Sequence, residues 1–371
     1  MEYQTTLSPH EPITITIGNF DGIHLGHQRL LHEVGEMART LQCKPVLVTF
    51  WPHTLLVVRP DIDIRYLTNQ DEKLALAKQY GGIADSIVIT FTPEVAAMSA
   101  EDFMNHLCQH FSIHGMVVGA DFSLGHKRMG DIKFLEHYGQ QHNIQLHTVS
   151  LAEAHQNRIS SSRIRTLLSQ GDIAQANELL GHPVIVSGIV RQGAKRGRML
   201  GFPTANLHPD ARKLLPADGV YAAIVHVQEN QESDLLAPSR VYKDVADVTD
   251  VGMSGRGVGD SVEIETYKDV ADVGMGGRGV GDSVEIETAE IHTYKSVVNI
   301  GTRPTFNEKE RLVEVHLLDA NLDLYDRKLT VEFIEHLRGE QRFPSIDALK
   351  VQISADVQKA HYILTVRSVS N

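Results

Sequence analysis

His24 and His27 stand three residues apart within Ile13 to Leu31, which reads ITITIGNFDGIHLGHQRLL. Imidazoles at that spacing share one face of a helical turn, and both can donate to phosphate oxygens as charge moves onto a leaving group. Gly26, between them, lets a nucleotide approach the backbone. The spacing also suits zinc, but no cysteine stands beside the pair to complete a ligand set. The local elements suit phosphate better. Ile13, Ile15 and Ile17 alternate with Thr14 and Thr16 as in a strand. Gly18-Asn19-Phe20-Asp21-Gly22 forms a turn, and Leu30, Leu31 and Val34 continue as a helix. A strand, a glycine turn and a helix start present free N–H groups to an anion.

Two further clusters carry chemistry. Arg158 to Arg165 reads RISSSRIR. One serine can cap the helix that holds Leu167 and Leu168, while spare hydroxyls, backbone N–H groups and Arg165 converge on an anion. Without other information it is a serine cap with surface arginines. Farther on, Arg191 to Gly197 is a basic glycine loop, followed by LGFPTANL, in which Thr204 and Asn206 occupy alternate positions. Oxygen ligands on one strand face suit Mg²⁺. In VEVHLL, Glu314 and His316 share a face, and a carboxylate there can take a proton from a primary alcohol.

The order G-x-F-D-G-x-H-x-G-H resembles the signature of the HxGH nucleotidyltransferases, narrowed by the FDG to the FMN adenylyltransferases. The serine stretch is similar to their ISSTxxR motif, with Ser162 in place of threonine. The resemblance implies ATP contacts at Gly18, Asn19, Phe20, Gly26, Ser160, Ser161, Ser162 and Arg163. It implies flavin contacts at Pro52, His53, Asp121 and Phe122, and charge stabilisation by His24, His27 and Arg165. G-x-x-x-G-R-x-L-G-F-P-T-A-N, from Gly193 to Asn206, resembles the riboflavin kinase signature. Here the implied roles are ATP contacts at Gly193, Lys195 and Gly197, Mg²⁺ on Thr204 and Asn206, a general base at Glu314 and a flavin contact at Arg338. Together the matches cover nearly the whole chain and resemble the prokaryotic bifunctional riboflavin kinase/FMN adenylyltransferases. Trp51 and Thr54 depart from the acidic residue and second proline usual around the family's P-H-P.

The elements that must position these groups are legible in outline. The 371 residues suggest two or three domains. Buried-strand runs at Pro45–Phe50 and Ser86–Phe91, with further strands at Met116–Gly119 and Ile144–Val149, alternate with helical stretches capped near Asn69 or Asp71 and at Ser99. That alternation predicts a doubly wound α/β sheet with Gly18, Trp51, Phe91 and Gly119 at ligand-binding strand ends. Past Gly181 the composition shifts to short strands and glycine turns, an antiparallel barrel, with a C-terminal helix from Ser345. The expected division is therefore a Rossmann-like α/β nucleotidyltransferase domain over 1–181 and a β-barrel kinase domain over 182–371.

Net charge is −12, which argues against a broad nucleic-acid footprint. Two cysteines, Cys43 and Cys108, far apart and in no motif, fit a reducing cytosol. MEYQTTLSPHEP lacks a basic region before an apolar core, and no apolar run is long enough to cross a bilayer, so a cytoplasmic protein is expected. The expected partners are riboflavin, FMN and ATP, without nucleic acid or membrane, in a monomer or weak homo-oligomer.

One stretch breaks the pattern. Tyr242–Thr266 recurs as Tyr267–Thr288, without Thr249, Asp250 and Val251 and with Gly276 for Ser254. Two copies are too few for a solenoid, and their Gly- and Asp-rich composition predicts an insertion, over about 228–294, that contributes little core. Its GRGVG has no Lys-Ser/Thr after it, so a phosphate-loop reading is poor. The strands beside it, Val220–Val227 and Lys295–Ile300, are expected to pair. The alternative to a two-activity enzyme is an FMN adenylyltransferase whose barrel only binds flavin, the insertion having spoiled the kinase site.

Overall fold

The computed structural model describes residues 1–8, 10–150, 159–192, 201–228, 241–242, 291–304, 309–320 and 322–369. The tandem repeat beyond Tyr242 and the basic loop holding Gly193, Lys195 and Gly197 lie outside the described residues.

The first half forms a seven-stranded sheet. Its strands are β1 (Tyr3–Gln4), β2 (Pro12–Ile17), β3 (Lys44–Trp51), β4 (Asp85–Thr90), β5 (Ser112–Gly119) and β6 (Gln145–Val149), with β10 (Val241–Tyr242) at one edge. The order is β10-β1-β4-β3-β2-β5-β6. β4 to β6 run parallel, and β1 is antiparallel to β4. The chain therefore winds from β2 through β3 to β4, then returns to β5 on the other side of β2. This reversal leaves a crevice at the carboxyl ends of β2 and β5, beside Gly18 and Gly119, where open α/β sheets bind ligands.

Helices cover both faces. α1 (Leu25–Leu41) and α3 (Gln70–Gly81) lie over Leu47 and Val117, while α5 (Ala100–His110) and α6 (Ile132–His142) lie over Ile13, Ile15, Val46 and Val48. Thr14 and Thr16 are consequently fully buried. The alternation that signals a strand here does not mark a solvent face. Asn69 caps α3 in a full capping box with Glu72, and Ser99 caps α5.

The second half is a closed six-stranded barrel of order β11-β12-β8-β7-β13-β9, antiparallel throughout. The strands are β7 (Val184–Arg191), β8 (Ala205–Pro209), β9 (Gly219–Gln228), β11 (Ile291–Pro304), β12 (Lys309–Leu317) and β13 (Lys328–Arg338). Ile291–Ile300 pairs with Gly219–Gln228 in unbroken register, so the strands on either side of the repeat meet as expected. Val186, Tyr221, Val298, Val313, Val331 and Phe333 fill the interior. α7 (Ser161–Gln170) and α8 (Ile173–Leu180) share that core through Ile164, Leu168, Ile173 and Leu180. α9 (Ile346–Val369) packs outside, on Val220, Ala222 and Val297 through Ala360 and Leu364.

A buried ion pair fastens α3 to the barrel. Lys213 pairs with Glu72 and donates to the Leu67 carbonyl at 2.5 Å. Glu72 also accepts from the Ser187 N–H at 2.7 Å, the Ser187 hydroxyl at 2.8 Å and the Asn69 N–H at 2.9 Å. Every lone-pair direction of the carboxylate is thus used, which is what makes a buried charge tolerable. Among the described residues, no helix is long and apolar enough to cross a membrane.

Candidate active sites

The first site is the turn between β2 and α1. His24 is the N-cap of α1, and its Nδ1 accepts from the His27 N–H at 3.2 Å. Nδ1 is therefore unprotonated and Nε2 carries the hydrogen. The two rings stack with centroids 3.6 Å apart and planes 13° apart, and Phe20 packs on His27 at 4.8 Å. A Cβ on Gly26 would lie 3.3 Å from the His24 ring. The glycine thus makes room for the imidazole as well as for any approaching ligand. Phe20 and Ile23 take positive φ, 48° and 39°, which is unfavourable for both and marked for a β-branched residue. Phe20 itself is buried, and its side chain packs against His27.

Burial lowers the pKa of His24 to about 4 and pushes His27 well below its ordinary value; His24 and then Lys73 lower His27 further. Both imidazoles are therefore neutral at pH 7 and can donate hydrogen bonds without a formal charge. The sign of the pH effect follows. The unfolded chain takes up the His24 proton near 6.5 and the folded chain only near 4, so stability is full above pH 6.5 and is lost as pH falls through that window, by about 3 kcal/mol at the lower end. The thermal midpoint is expected to drop between pH 7 and 4. His24→Asn, which keeps an N-cap acceptor but cannot titrate, should flatten part of that drop. Equal profiles for the two proteins in a thermal melt series would contradict this account.

Asp21, which the sequence reading left out of the site, organises its floor. It is buried and accepts from the Leu67 N–H at 3.0 Å, the Thr68 N–H at 3.0 Å and the Thr68 hydroxyl at 3.3 Å. It also pairs with Arg165, whose Nε donates to the Arg65 carbonyl at 3.0 Å. Arg165 is therefore held by a carboxylate, and its charge is partly neutralised where a freely available cation was expected. Ser160 caps α7, accepting from the Arg163 N–H at 3.3 Å, and the Ser161 hydroxyl donates to the Asp21 carbonyl at 2.9 Å. Ser162 is exposed.

The expected flavin loop also adjoins the turn. His53 caps the short α2 (Thr54–Val58) and is lowered to about 4, mainly by burial. Thr54, where the family carries proline, exchanges hydrogen bonds with the Asn19 side chain at 2.9 and 3.3 Å. The departure therefore ties the loop to the nucleotide turn. Trp51 packs on Tyr66 with centroids 4.8 Å apart. Asp121 is exposed, Phe122 is half-buried, and Arg128 braces their loop by donating to the Ser123 hydroxyl at 2.7 Å.

In the barrel, Asn206 on β8 lies directly opposite Glu314 on β12. Their neighbours Ala205, Leu207, Val313 and Val315 point inward and are buried, so Asn206 and Glu314 share the outer face. Arg191 is the register partner of Asn206 on its other side. Thr204 immediately precedes β8, and His316 donates from Nδ1 to the Pro203 carbonyl at 2.8 Å. Arg338 is not beside this cluster's carboxylate; it is clamped to Asp356 of α9 at 2.8 and 3.0 Å. Its guanidinium holds the C-terminal helix. Among the described residues no three His, Cys, Asp or Glu side chains form a metal cage. Two neutral oxygens beside one carboxylate instead suit a Mg²⁺ that arrives with phosphate ligands.

The FAD synthetase family matches residues 7–163, and the Riboflavin kinase family matches residues 180–364. A bifunctional riboflavin kinase/FMN adenylyltransferase of Escherichia coli (strain K12) is 31% identical over 350 residues, covering 94% of this chain and 92% of the relative. The chain belongs to the bifunctional riboflavin kinase/FMN adenylyltransferase family. Its Pseudomonas fluorescens member is also 31% identical, over 95% of this chain and 93% of its own length. A crystal structure described as a macrolide-efflux protein from Streptococcus pneumoniae superposes with a TM-score of 0.71 at 24% identity, covering 96% of this chain and 95% of its own. At that identity it speaks for the fold alone. Within this family chain, the first match contains the histidine turn and the second contains Thr204, Asn206 and Glu314.

Proposed function

We propose that the chain phosphorylates riboflavin to FMN in the barrel and adenylylates FMN to FAD at the histidine turn, with 1–181 and 182–371 dividing the two tasks. The observation that carries this reading is that each half matches a family of its own, and each match encloses one polar cluster.

In the barrel, the Glu314 carboxylate takes the proton of the primary ribityl hydroxyl as its oxygen attacks the γ-phosphorus of ATP. The bond to the β,γ-bridging oxygen breaks and ADP leaves. Thr204 and Asn206 would hold Mg²⁺, which when bound offsets phosphate charge. At the histidine turn, a phosphate oxygen of FMN attacks the α-phosphorus of a second ATP. The α,β-bridging bond breaks and pyrophosphate leaves. His24 donates from Nε2 to a phosphate oxygen, His27 stacks beside it, and the free N–H groups at the start of α1 face the same charge. Asp21 fixes Arg165 against this turn. No covalent enzyme intermediate is required, because positioning and electrostatics suffice for phosphoryl and nucleotidyl transfer.

Incubation with riboflavin and Mg-ATP, followed by chromatography, tests this directly. FMN should appear first and FAD after it. Recovery of riboflavin unchanged, with FAD still formed from supplied FMN, would instead favour a barrel that only binds flavin.

A further inference from the structure

Lys73 is placed where an ammonium ion is costly. It is 3% exposed, and among the described residues no carboxylate lies within ion-pair distance of it. It sits in the first turn of α3, where the helix dipole opposes a cation. Buried charges without a partner are rare because burial alone costs several kcal/mol. Its neighbour Glu72 has its own buried cation, Lys213, on another side of the helix. Lys73 instead points to the carboxyl end of β3. Its Nζ donates to the Thr49 hydroxyl at 3.1 Å and to the Phe50 carbonyl at 3.3 Å, and lies 5.8 Å from the Trp51 ring centroid. Thr49 in turn donates to the Asn19 carbonyl at 3.3 Å. One hydroxyl therefore separates the ammonium from the nucleotide turn. An ammonium has three donors, and two are used here.

Three groups around the turn bring little free positive charge. His24 and His27 are neutral, and Arg165 is paired with Asp21. A triphosphate and a flavin phosphate together bring several negative charges into this crevice. We infer that Lys73 is a positioning residue of adenylyl transfer, whose buried ammonium fixes the Thr49–Asn19 turn and adds a resident positive charge beneath the polyphosphate. The inference rests on the adenylyltransferase reading of the histidine turn. Burial lowers the Lys73 pKa to about 8, with Asp21 opposing the shift, so the charge is held close to its limit. The lysine also disfavours protonation of His27 and His53, keeping the site's imidazoles neutral. A bound polyphosphate would stabilise the ammonium that the fold bears at a cost, a separation of function from stability common at active sites.

Lys73→Met and Lys73→Arg test this. Met keeps the aliphatic length without the charge. Its adenylyl-transfer kcat is expected to fall about 10²-fold, on the scale of one lost charge-stabilising group. Riboflavin phosphorylation by the same protein should stay within about twofold, as for distant sites. The thermal midpoint should hold or rise, because an apolar side chain replaces an unpaired buried charge. Wild-type kcat should decline on an alkaline limb near pH 8. That limb should vanish in Lys73→Met and move upward in Lys73→Arg, which should recover part of the rate. Calorimetric binding of inorganic pyrophosphate, which needs no turnover, should weaken in the wild type across the same pH range and be weak and flat in Lys73→Met. Wild-type kcat in Lys73→Met, or joint loss of both activities with a lowered midpoint in both variants, overturns the inference. Lysine-dependent pyrophosphate binding by a protein that makes no FAD would refute the adenylyltransferase reading and leave the role of Lys73 in place.

Discussion

FMN adenylylation by His27→Ala is expected to run about 10²–10³-fold below wild type, on the scale of disabling one group of a charge-stabilising site. Riboflavin phosphorylation should be nearly unchanged. The backbone N–H of residue 27 survives the substitution, so the cap on His24 Nδ1 survives with it. What is lost is the ring that stacks 3.6 Å from His24 and packs on Phe20. Without it, His24 keeps its tautomer but loses the surface that fixes its plane, and the space left behind admits water. The effect should fall mainly on kcat for FAD formation, since the interaction strengthens as charge develops on the phosphate. Equal loss of kinase and adenylyltransferase rates would show that the histidine turn does not serve a site of its own.

In the barrel, the matching substitution is Glu314→Gln. Glutamine keeps the shape and reach of the side chain opposite Asn206 but cannot take a proton. FMN formation should fall by about 10²-fold or more, on the scale of a lost general base. FAD formation from supplied FMN should persist. Because Glu314 lies on the outer face while Val313 and Val315 fill the interior, the barrel core is untouched and the thermal midpoint should move little. A kinase rate close to wild type would remove Glu314 from the mechanism and turn attention to His316 or Arg191, which share that face or border it.

Much of this was legible because it is local. The strand, glycine turn and helix start around His24 follow from residue types within about ten positions, and so does the cap at Ser99, while the fold chose Asn69 over Asp71 and Ser160 among the serines. The apolar runs announced parallel strands, and the glycine-punctuated second half announced a barrel. The pairing of Asn206 with Glu314 was only implied, since alternation places each on a face but does not say which strands adjoin.

The sequence by itself determined the element types, the two polar clusters and the family resemblance, because short-range periodicity and signature spacing are properties of the chain. The tertiary structure alone decided the charge state of those clusters. Asp21 and Arg165 are 144 residues apart in sequence, and Glu72 and Lys213 are 141 apart. Nothing local foretells that either pair meets, nor that Lys73 is sealed beneath the turn while Arg338 is spent on Asp356. Burial and the partners a fold supplies set whether a histidine is charged and whether an arginine is free, and both depend on which distant segments close over it.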